Sequence, residues 1–237
     1  MPRSTAGTAG ASVRRMAWKR LLAGTSILLA LYAAYWLILR GPFELPPYAF
    51  LAVFLVVPVA MRIVMDETEA KVDRAVRGAQ GEERVGDLLA QLGDEYHIVH
   101  DVVVGRGNID HVVVGPTGIF VIETKSHRGK LTEQDGQLRL NGRPLEKDFL
   151  SQGYAEAMAL KEYLHKVSGR EFYVVPYVVF TAAFVSVRGT PRGVGVIPSK
   201  WLVQRIQGGK GRLDSDEAAR VARALATVTD EARRAAR

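Results

Sequence analysis

The chain has 237 residues, a net charge of +7 and no cysteine, and nearly half of its residues are hydrophobic. This length allows one or two domains, and the lack of cysteine excludes disulfides and thiolate metal sites. The charge is concentrated at the two ends, because residues 1–20 carry five cations and no acid and residues 205–237 have a net charge of +3. The residues between them carry −1. Contacts with nucleic acid would therefore have to be local or come from the tail.

Two apolar runs follow the basic start of the chain. Leu21–Leu39 has nineteen residues without a charge, and as a helix it is about 28 Å long, enough to cross the hydrocarbon core of a bilayer. Tyr48–Met65 contains Pro58 and Arg62, both tolerable in a membrane helix. We therefore predict a two-helix transmembrane hairpin in residues 21–65 that contacts the lipid bilayer through both runs. A signal peptide and a buried core helix are the alternatives for the first run.

The basic residues of segment 1–20 also predict how the chain is oriented in the membrane. The positive-inside rule places segment 1–20 in the cytoplasm, and two spans return the rest of the chain to the same side. We thus expect a two-pass protein of the cell membrane with cytoplasmic N- and C-termini. Residues 66–79 are charged nearly all round, with the pairs Glu67–Lys71 and Asp73–Arg77 at a helical spacing. They predict a charged helical stalk, with a plain linker as the alternative.

Another helix is predicted in residues 80–92. Its apolar positions recur at a helical period: Val85, Leu88, Leu89 and Leu92. Glu82 precedes this stripe by three residues and belongs to its inward side. It is either a functional acid or a first-turn acid that stabilises the helix dipole. A strand is predicted to follow at Tyr96–Val104.

The stretch 108–126 predicts a β-hairpin around the turn 115–118. Centring the turn places Val114 opposite Ile119 and, in the same register, Asp110 opposite Glu123, with Cβ atoms about 5 Å apart. Two facing carboxylates repel each other unless a divalent cation binds between them. Lys125 shares the face of Glu123 because side chains alternate along a strand. The alternative is a surface ion pair between Glu123 and Lys125.

The later elements follow in chain order. A second hairpin around Asp135-Gly136 spans residues 129–140, and Asn141-Gly142 predicts another tight turn. A helix is predicted at Phe149–Val167, with Ala155, Ala159 and Tyr163 along one stripe and Gln152 on the same face. Strands are predicted at 173–180, 183–187 and 194–197. Ser199 is predicted to cap a short helix that ends at Ile206, and residues 215–236 predict an amphipathic helix that either packs on the core or binds a partner.

Several short motifs in these segments resemble those of one protein family: Gly81-Glu82-x-x-Val85, Ile109–Gly115, Gly118-Ile119, Val121-Ile122-Glu123-x-Lys125 and Gln152. Together they resemble the NERD, or nuclease-related, domain of the PD-(D/E)xK nuclease superfamily, over roughly residues 78–165. The resemblance implies an α/β fold with a restriction-endonuclease-like αβββαβ core in residues 80–198, followed by a C-terminal helical segment in residues 199–237. This chain has Lys147-Asp148 where the family commonly has Asn-Pro.

The resemblance also implies an activity. It assigns these catalytic residues: Asp110, Glu123, Lys125, Glu82 and Gln152. It implies Mg²⁺, with Mn²⁺ as an alternative, held by Asp110, Glu123 and the backbone carbonyl of Thr124, and by Glu82 directly or through water. We expect Lys125 to position the attacking water and stabilise charge on the phosphate.

Two hypotheses about function follow. The first is a membrane-anchored, Mg²⁺-dependent nuclease that hydrolyses DNA, or alternatively RNA, on the cytoplasmic side. The second is a catalytically inactive nuclease-fold module that anchors nucleic acid or a protein partner at the membrane. The residues Asp110, Glu123 and Lys125 favour the first, whereas the near-neutral middle of the chain weakens the case for polynucleotide binding.

Overall fold

The computed structural model describes residues 73–105, 107–211 and 213–235, together with Thr25, Trp36, Arg40 and Lys71. The chain divides into two compact units, residues 11–79 and residues 80–237. The segment 1–20 and the two apolar runs predicted to span a membrane lie outside the described residues, apart from Thr25 and Trp36. Within the described part of the chain, no helix is both long enough and apolar enough to cross a membrane.

The described elements are four α-helices and seven strands. In order they are α1 (residues 73–89), β1 (His97–Val104), β2 (Gly107–Gly115), β3 (Gly118–Gln134), β4 (Gln137–Leu140), β5 (Arg143–Pro144), α2 (Phe149–Ser168), β6 (Val174–Ser186), β7 (Gly195–Pro198), α3 (Leu202–Gln207) and α4 (Ser215–Ala235). Short 3₁₀ turns lie at Pro191–Gly193 and Ser199–Trp201. The predicted α/β class is confirmed, and the order of elements is consistent with a nuclease fold.

All seven strands belong to one mixed sheet. β1 to β5 are antiparallel neighbours in chain order, β6 runs parallel to β3, and β7 runs parallel to β6. The predicted centre of the first hairpin is confirmed, since Gly115 pairs with Gly118 and Val114 with Ile119. The tight turn at Asn141-Gly142 is confirmed as well. Its residues have φ values of 52° and 80°, which is the left-handed conformation that type I′ turns require.

Two strands are longer than predicted. β3 has 17 residues and β6 has 13, whereas the sequence predicted a break in each. The two strands pair along most of their length, with a register shift between Lys125 and Arg128. This mutual pairing supplies backbone partners to polar residues such as Thr132 and Ser186, so the strands continue where their hydrophobic pattern stops.

Helices cover both faces of the sheet. On one face α2 and α4 pack against residues that include Val112 and Val121, and on the other α1 and α3 pack against residues that include Val113 and Phe120. The contact between α4 and β1 resolves one open alternative, because this helix packs on the core. A third cluster lies under the far half of β3 and includes Leu131, Phe149 and Phe180.

Two local predictions were wrong. The predicted stripe of α2 is wrong for Ala155, which is exposed, whereas Ala159 and Tyr163 pack against the core. The fully buried positions include Gly153, Ala157, Leu160 and Leu164. The helix turns its bulky leucines to the sheet, which removes more apolar area from water than burying alanines would. Ser199 makes no capping hydrogen bond, because a 3₁₀ turn precedes α3 and the side chain is not placed to accept from its amides.

Candidate active site

The candidate site lies where β3 changes its neighbour. On one edge β3 pairs with β2 as far as Ile122 and with β4 only from Leu131 onward. The residues between them, beginning with Glu123, have no ladder partner on that edge. The sheet therefore forks at this point, and the fork brings the start of β2 and the start of α2 next to the acidic residue of β3.

Asp110 lies at the fork, but its contact with β3 differs from the predicted one. The last ladder pair is His111–Ile122, so the predicted Asp110–Glu123 pair is not formed. Instead, the Asp110 carboxylate accepts a hydrogen bond from the Thr124 amide at 2.7 Å. The pairing of β1 with β2 also omits Asp110, together with Asp101, whose φ is 54°.

The pKa of Asp110 is affected by three other predicted site residues. Burial raises the pKa of Asp110 well above its ordinary value, and the charges of Glu123 and Glu82 raise it further. The Thr124 amide and the Lys125 ammonium act in the opposite direction. Asp110 thus responds to Glu82, Glu123 and Lys125, even though these residues come from two different elements.

Glu123 is the centre of the site. It is only 4% exposed, and its Oε1 receives both the ammonium of Lys125 and the amide Nε2 of Gln152, the latter at 2.6 Å. Its Oε2 is buried without a hydrogen-bond partner. A buried carboxylate oxygen normally has a partner. Oε2 is therefore open to a bound ion or water, or to a proton shared with the Glu156 carboxyl, which is within hydrogen-bonding range of Glu123.

Lys125 is held from two sides. Its side chain is 16% exposed, it is ion-paired with Glu123, and its Nζ lies 4.5 Å from the ring centroid of Phe149. The predicted shared face of Glu123 and Lys125 is therefore confirmed. The alternative of an exposed surface pair is wrong, since both groups are largely enclosed by α2.

Glu82 is brought to the site by α1. A Cβ at Gly81 would lie 3.3 Å from Thr181 Oγ1 and 3.4 Å from Ser126 Cβ, so a glycine lets the helix approach β3 and β6 closely. Because α1 already includes residues 73–81, Glu82 lies in the middle of the helix. The alternative that it is a first-turn acid is therefore wrong.

Gln152 and Glu156 form the α2 side of the site. Asp148 caps this helix, accepting from the Ser151 amide at 3.0 Å, so the departure from Asn-Pro leaves the helix start at Phe149 as predicted. Gln152 Nε2 also donates to Glu156 Oε1 at 2.8 Å. The sequence analysis missed Glu156, although its spacing of four residues from Gln152 placed the two side chains on one helix face.

Glu156 is buried, and its Oε2 has no hydrogen-bond partner. Burial and then the charge of Glu123 raise the pKa of Glu156 to about 7. His127 is a second residue that the sequence analysis missed. It lies two residues beyond Lys125 in β3, and burial followed by the charge of Lys125 lowers its pKa. Its ring packs 5.3 Å from Phe149.

A divalent cation at this site would have few direct protein ligands. Within residues 73–105, 107–211 and 213–235, no three His, Asp or Glu side chains are close enough to ligate one ion. Asp110, Glu123 and Glu82 are therefore not placed to bind one ion directly all together. Two carboxylates, one of them with the free buried Oε2, match Mg²⁺, which binds one or two carboxylates and keeps several waters.

One protein family matches the part of the chain that contains this site. Residues 77–181 match the family model of the NERD, or nuclease-related, domain. The match contains all of the predicted site residues, and it indicates a nuclease-like function. The NERD match leaves the first 76 and the last 56 residues of the chain outside it.

One curated relative is an uncharacterized protein of Bacillus anthracis, which is 31% identical over 83 residues. The aligned part covers 32% of this chain and 39% of the relative, so the chain spans about two fifths of the length of that protein. No solved structure matches the chain significantly. The NERD match is therefore the main evidence of similarity to known proteins.

Proposed function

We propose that this protein is a metal-dependent nuclease that hydrolyses phosphodiester bonds of DNA, or alternatively of RNA. The observation that carries the proposal is the fork of β3, where Asp110, Glu123, Lys125 and Gln152 converge within a region that matches a nuclease-related domain. Anchoring by the two apolar runs in residues 21–65, with catalysis on the cytoplasmic side of the membrane, is part of the same proposal.

Asp110, Glu123 and the carbonyl of Thr124 would hold Mg²⁺ or Mn²⁺, and Glu82 would act through water. When bound, the ion would supply positive charge to the phosphate and lower the pKa of a water molecule. The free Oε2 of Glu123 and the raised pKa of Asp110 support this ligand set, because a cation relieves the repulsion between two buried carboxylates.

The remaining residues would position the reactants. Lys125 is held by Glu123 and the ring of Phe149, so its ammonium would stabilise charge on the phosphate at a fixed point. Gln152 donates to Glu123 and Glu156 through the same Nε2. Its amide orientation is thereby fixed, and its Oε1 is left to orient a water or a substrate group.

The second candidate is a binding module that keeps the fold without turnover. It is supported by the ion pair of Lys125 with Glu123, which occupies both groups, and by the charge of −1 in the middle of the chain. Such a module would anchor nucleic acid or a protein partner at the membrane.

A cleavage assay distinguishes the two candidates. The full-length chain, purified in detergent, is incubated with plasmid, linear duplex, single-stranded DNA and RNA, with Mg²⁺ or with EDTA. We expect Mg²⁺-dependent cleavage that is lost in Glu123→Gln and kept in Glu162→Gln, a matched change on the exposed face of α2. Cleavage by Glu123→Gln at the wild-type rate would contradict the site. No cleavage of any substrate by the wild-type protein would favour the binding module.

A further inference from the structure

A second concave surface lies away from the fork. It is a groove of about 690 Å³, formed between β6, α3 and the loop 208–210, and Phe120 and Tyr177 lie in its lining. Phe120 belongs to the sheet face that carries α1 and α3, whereas Glu123 points to the face that carries α2. The lining residues of β6 extend to Tyr177, which pairs with Ile122 and is next to Val178, the partner of Glu123. The groove is a separate site because it opens on the opposite face of the sheet.

The groove presents aromatic rings to solvent. Tyr173 is 82% exposed and Trp201 is 44% exposed, and both line the groove. Below them Phe120 and Tyr177 stack with ring centroids 6.2 Å apart, which gives the exposed rings a rigid aromatic base. Large aromatic side chains that remain open to water at a concave surface indicate a binding site for a partner with flat apolar faces.

The same groove is positively charged. Arg205 and Lys210 line it and no carboxylate does, and neither cation forms an ion pair with a described acid. The ammonium of Lys200 lies 5.6 Å from the ring centroid of Trp201. The expected partner therefore combines flat rings with negative charge.

The loop that carries Lys210 is fixed in place. The Gly211 amide donates to the Thr117 carbonyl at 2.9 Å. A Cβ at Gly209 or at Gly211 would come within 2.6 Å of that same carbonyl oxygen. Glycine at both positions allows the loop to lie against the β2–β3 turn, so the position of Lys210 is set before any ligand binds, which lowers the entropic cost of binding.

We propose that this groove binds single-stranded nucleic acid, with bases stacked on Tyr173 and Trp201 and phosphates contacted by Arg205 and Lys210. Aromatic platforms beside cations are the general means of binding single strands, because an unpaired base exposes a ring face that a duplex keeps stacked. The inference rests on the proposed function for the class of partner. It adds that the protein binds an unpaired strand on the sheet face opposite Glu123.

The shape argues against two other partners. A bilayer surface also attracts tryptophan, tyrosine and lysine, but it is flat, whereas the cations and rings here surround a concavity. A proline-rich peptide would use the aromatic rings but would leave Arg205 and Lys210 without anionic partners.

The test measures binding without turnover. Fluorescence anisotropy of a labelled single-stranded oligothymidylate is recorded with the full-length chain in detergent and EDTA. Trp201→Ala and Tyr173→Ala should each weaken binding by about 5- to 150-fold, the range for one lost base stack. Phe184→Ala is the matched control, since this residue is 71% exposed on the same strand β6, and it should bind like the wild type. Arg205→Gln should reduce the slope of log affinity against log salt by about 0.7.

The outcomes separate this inference from the proposed function. Weaker binding in the two groove variants, with the control unchanged, supports the groove even if the wild-type protein cleaves nothing. Equal binding by wild type, Trp201→Ala and Tyr173→Ala overturns the groove even if Mg²⁺-dependent cleavage is robust, and so does a wild-type protein that does not bind. Brominated lipids in nanodiscs provide a further test. Quenching that is lost in Trp201→Phe would assign the surface to the membrane and overturn the inference.

Discussion

Replacing Lys125 tests the candidate active site most directly. The ammonium is the cation paired with Glu123, which is 4% exposed and keeps only the amide of Gln152 if Lys125 is removed. Breaking a buried ion pair costs about 3–5 kcal/mol, and the remaining hydrogen bond should reduce this to about 1–3 kcal/mol for Lys125→Ala. For a chain of this size that corresponds to a fall in Tm of about 2–12 °C.

The expected loss of turnover is larger than the loss of folded protein. If Lys125 stabilises charge on the phosphate, Lys125→Ala should cut the rate by about 10²- to 10³-fold while metal affinity stays nearly unchanged. Lys125→Arg should recover little, because a planar guanidinium does not replace a compact ammonium in this position.

The assay measures Tm and cleavage rate on the same samples, below the Tm of each variant. Lys130→Ala is the matched control, because Lys130 is an exposed lysine further along β3, and it should keep both properties. A Lys125→Ala protein with a lowered Tm and a full rate per folded molecule would refute the catalytic role. Lys125 would then be a structural partner of Glu123.

Three further predictions follow from other parts of the chain. Titration calorimetry should show Mg²⁺ or Mn²⁺ binding to the wild type and weaker binding to Asp110→Asn; equal affinities would contradict the proposed ligand set. Asp148→Ala should cost about 1 kcal/mol as a lost helix cap. Hydrogen bonds from Ser151 and Arg192 lower the pKa of Asp148 to about 2, so this cost, measured by denaturant unfolding, should be full above about pH 4 and shrink as the pH falls towards 2; a constant cost would contradict the charged cap. Reporter fusions at Gly78 and at the C-terminus should report the cytoplasm, and an external signal at Gly78 would overturn the predicted topology.

The sequence could predict the site residues because their spacing is local. Glu123 and Lys125 are two residues apart on one strand, and their shared face follows from strand geometry alone. The centre of the hairpin at residues 115–118 followed in the same way from a tight turn between two β-branched runs. Resemblance to a known family added Glu82 and Gln152, which no short-range pattern connects to the hairpin.

Tertiary structure decided how these residues meet. Asp110 is outside the ladders with β1 and β3, and its carboxylate accepts from the Thr124 amide instead of forming the expected pair with Glu123. Glu156 joined the site only because α2 turns that face towards β3. Strand irregularities and helix rotation depend on contacts between distant segments, and these contacts outweigh the local periodicity that a sequence displays.

By itself, then, the sequence determined the α/β class, the turns and the carboxylate–lysine pair, because each depends on residues a few positions apart. The fork in the sheet, the enclosure of Lys125 by Phe149 and the aromatic groove beside α3 were decided only by the fold. The enclosure of Lys125 and the groove join segments that lie at least twenty residues apart in the chain, and the packing free energy that brings such segments together is a property of the whole core.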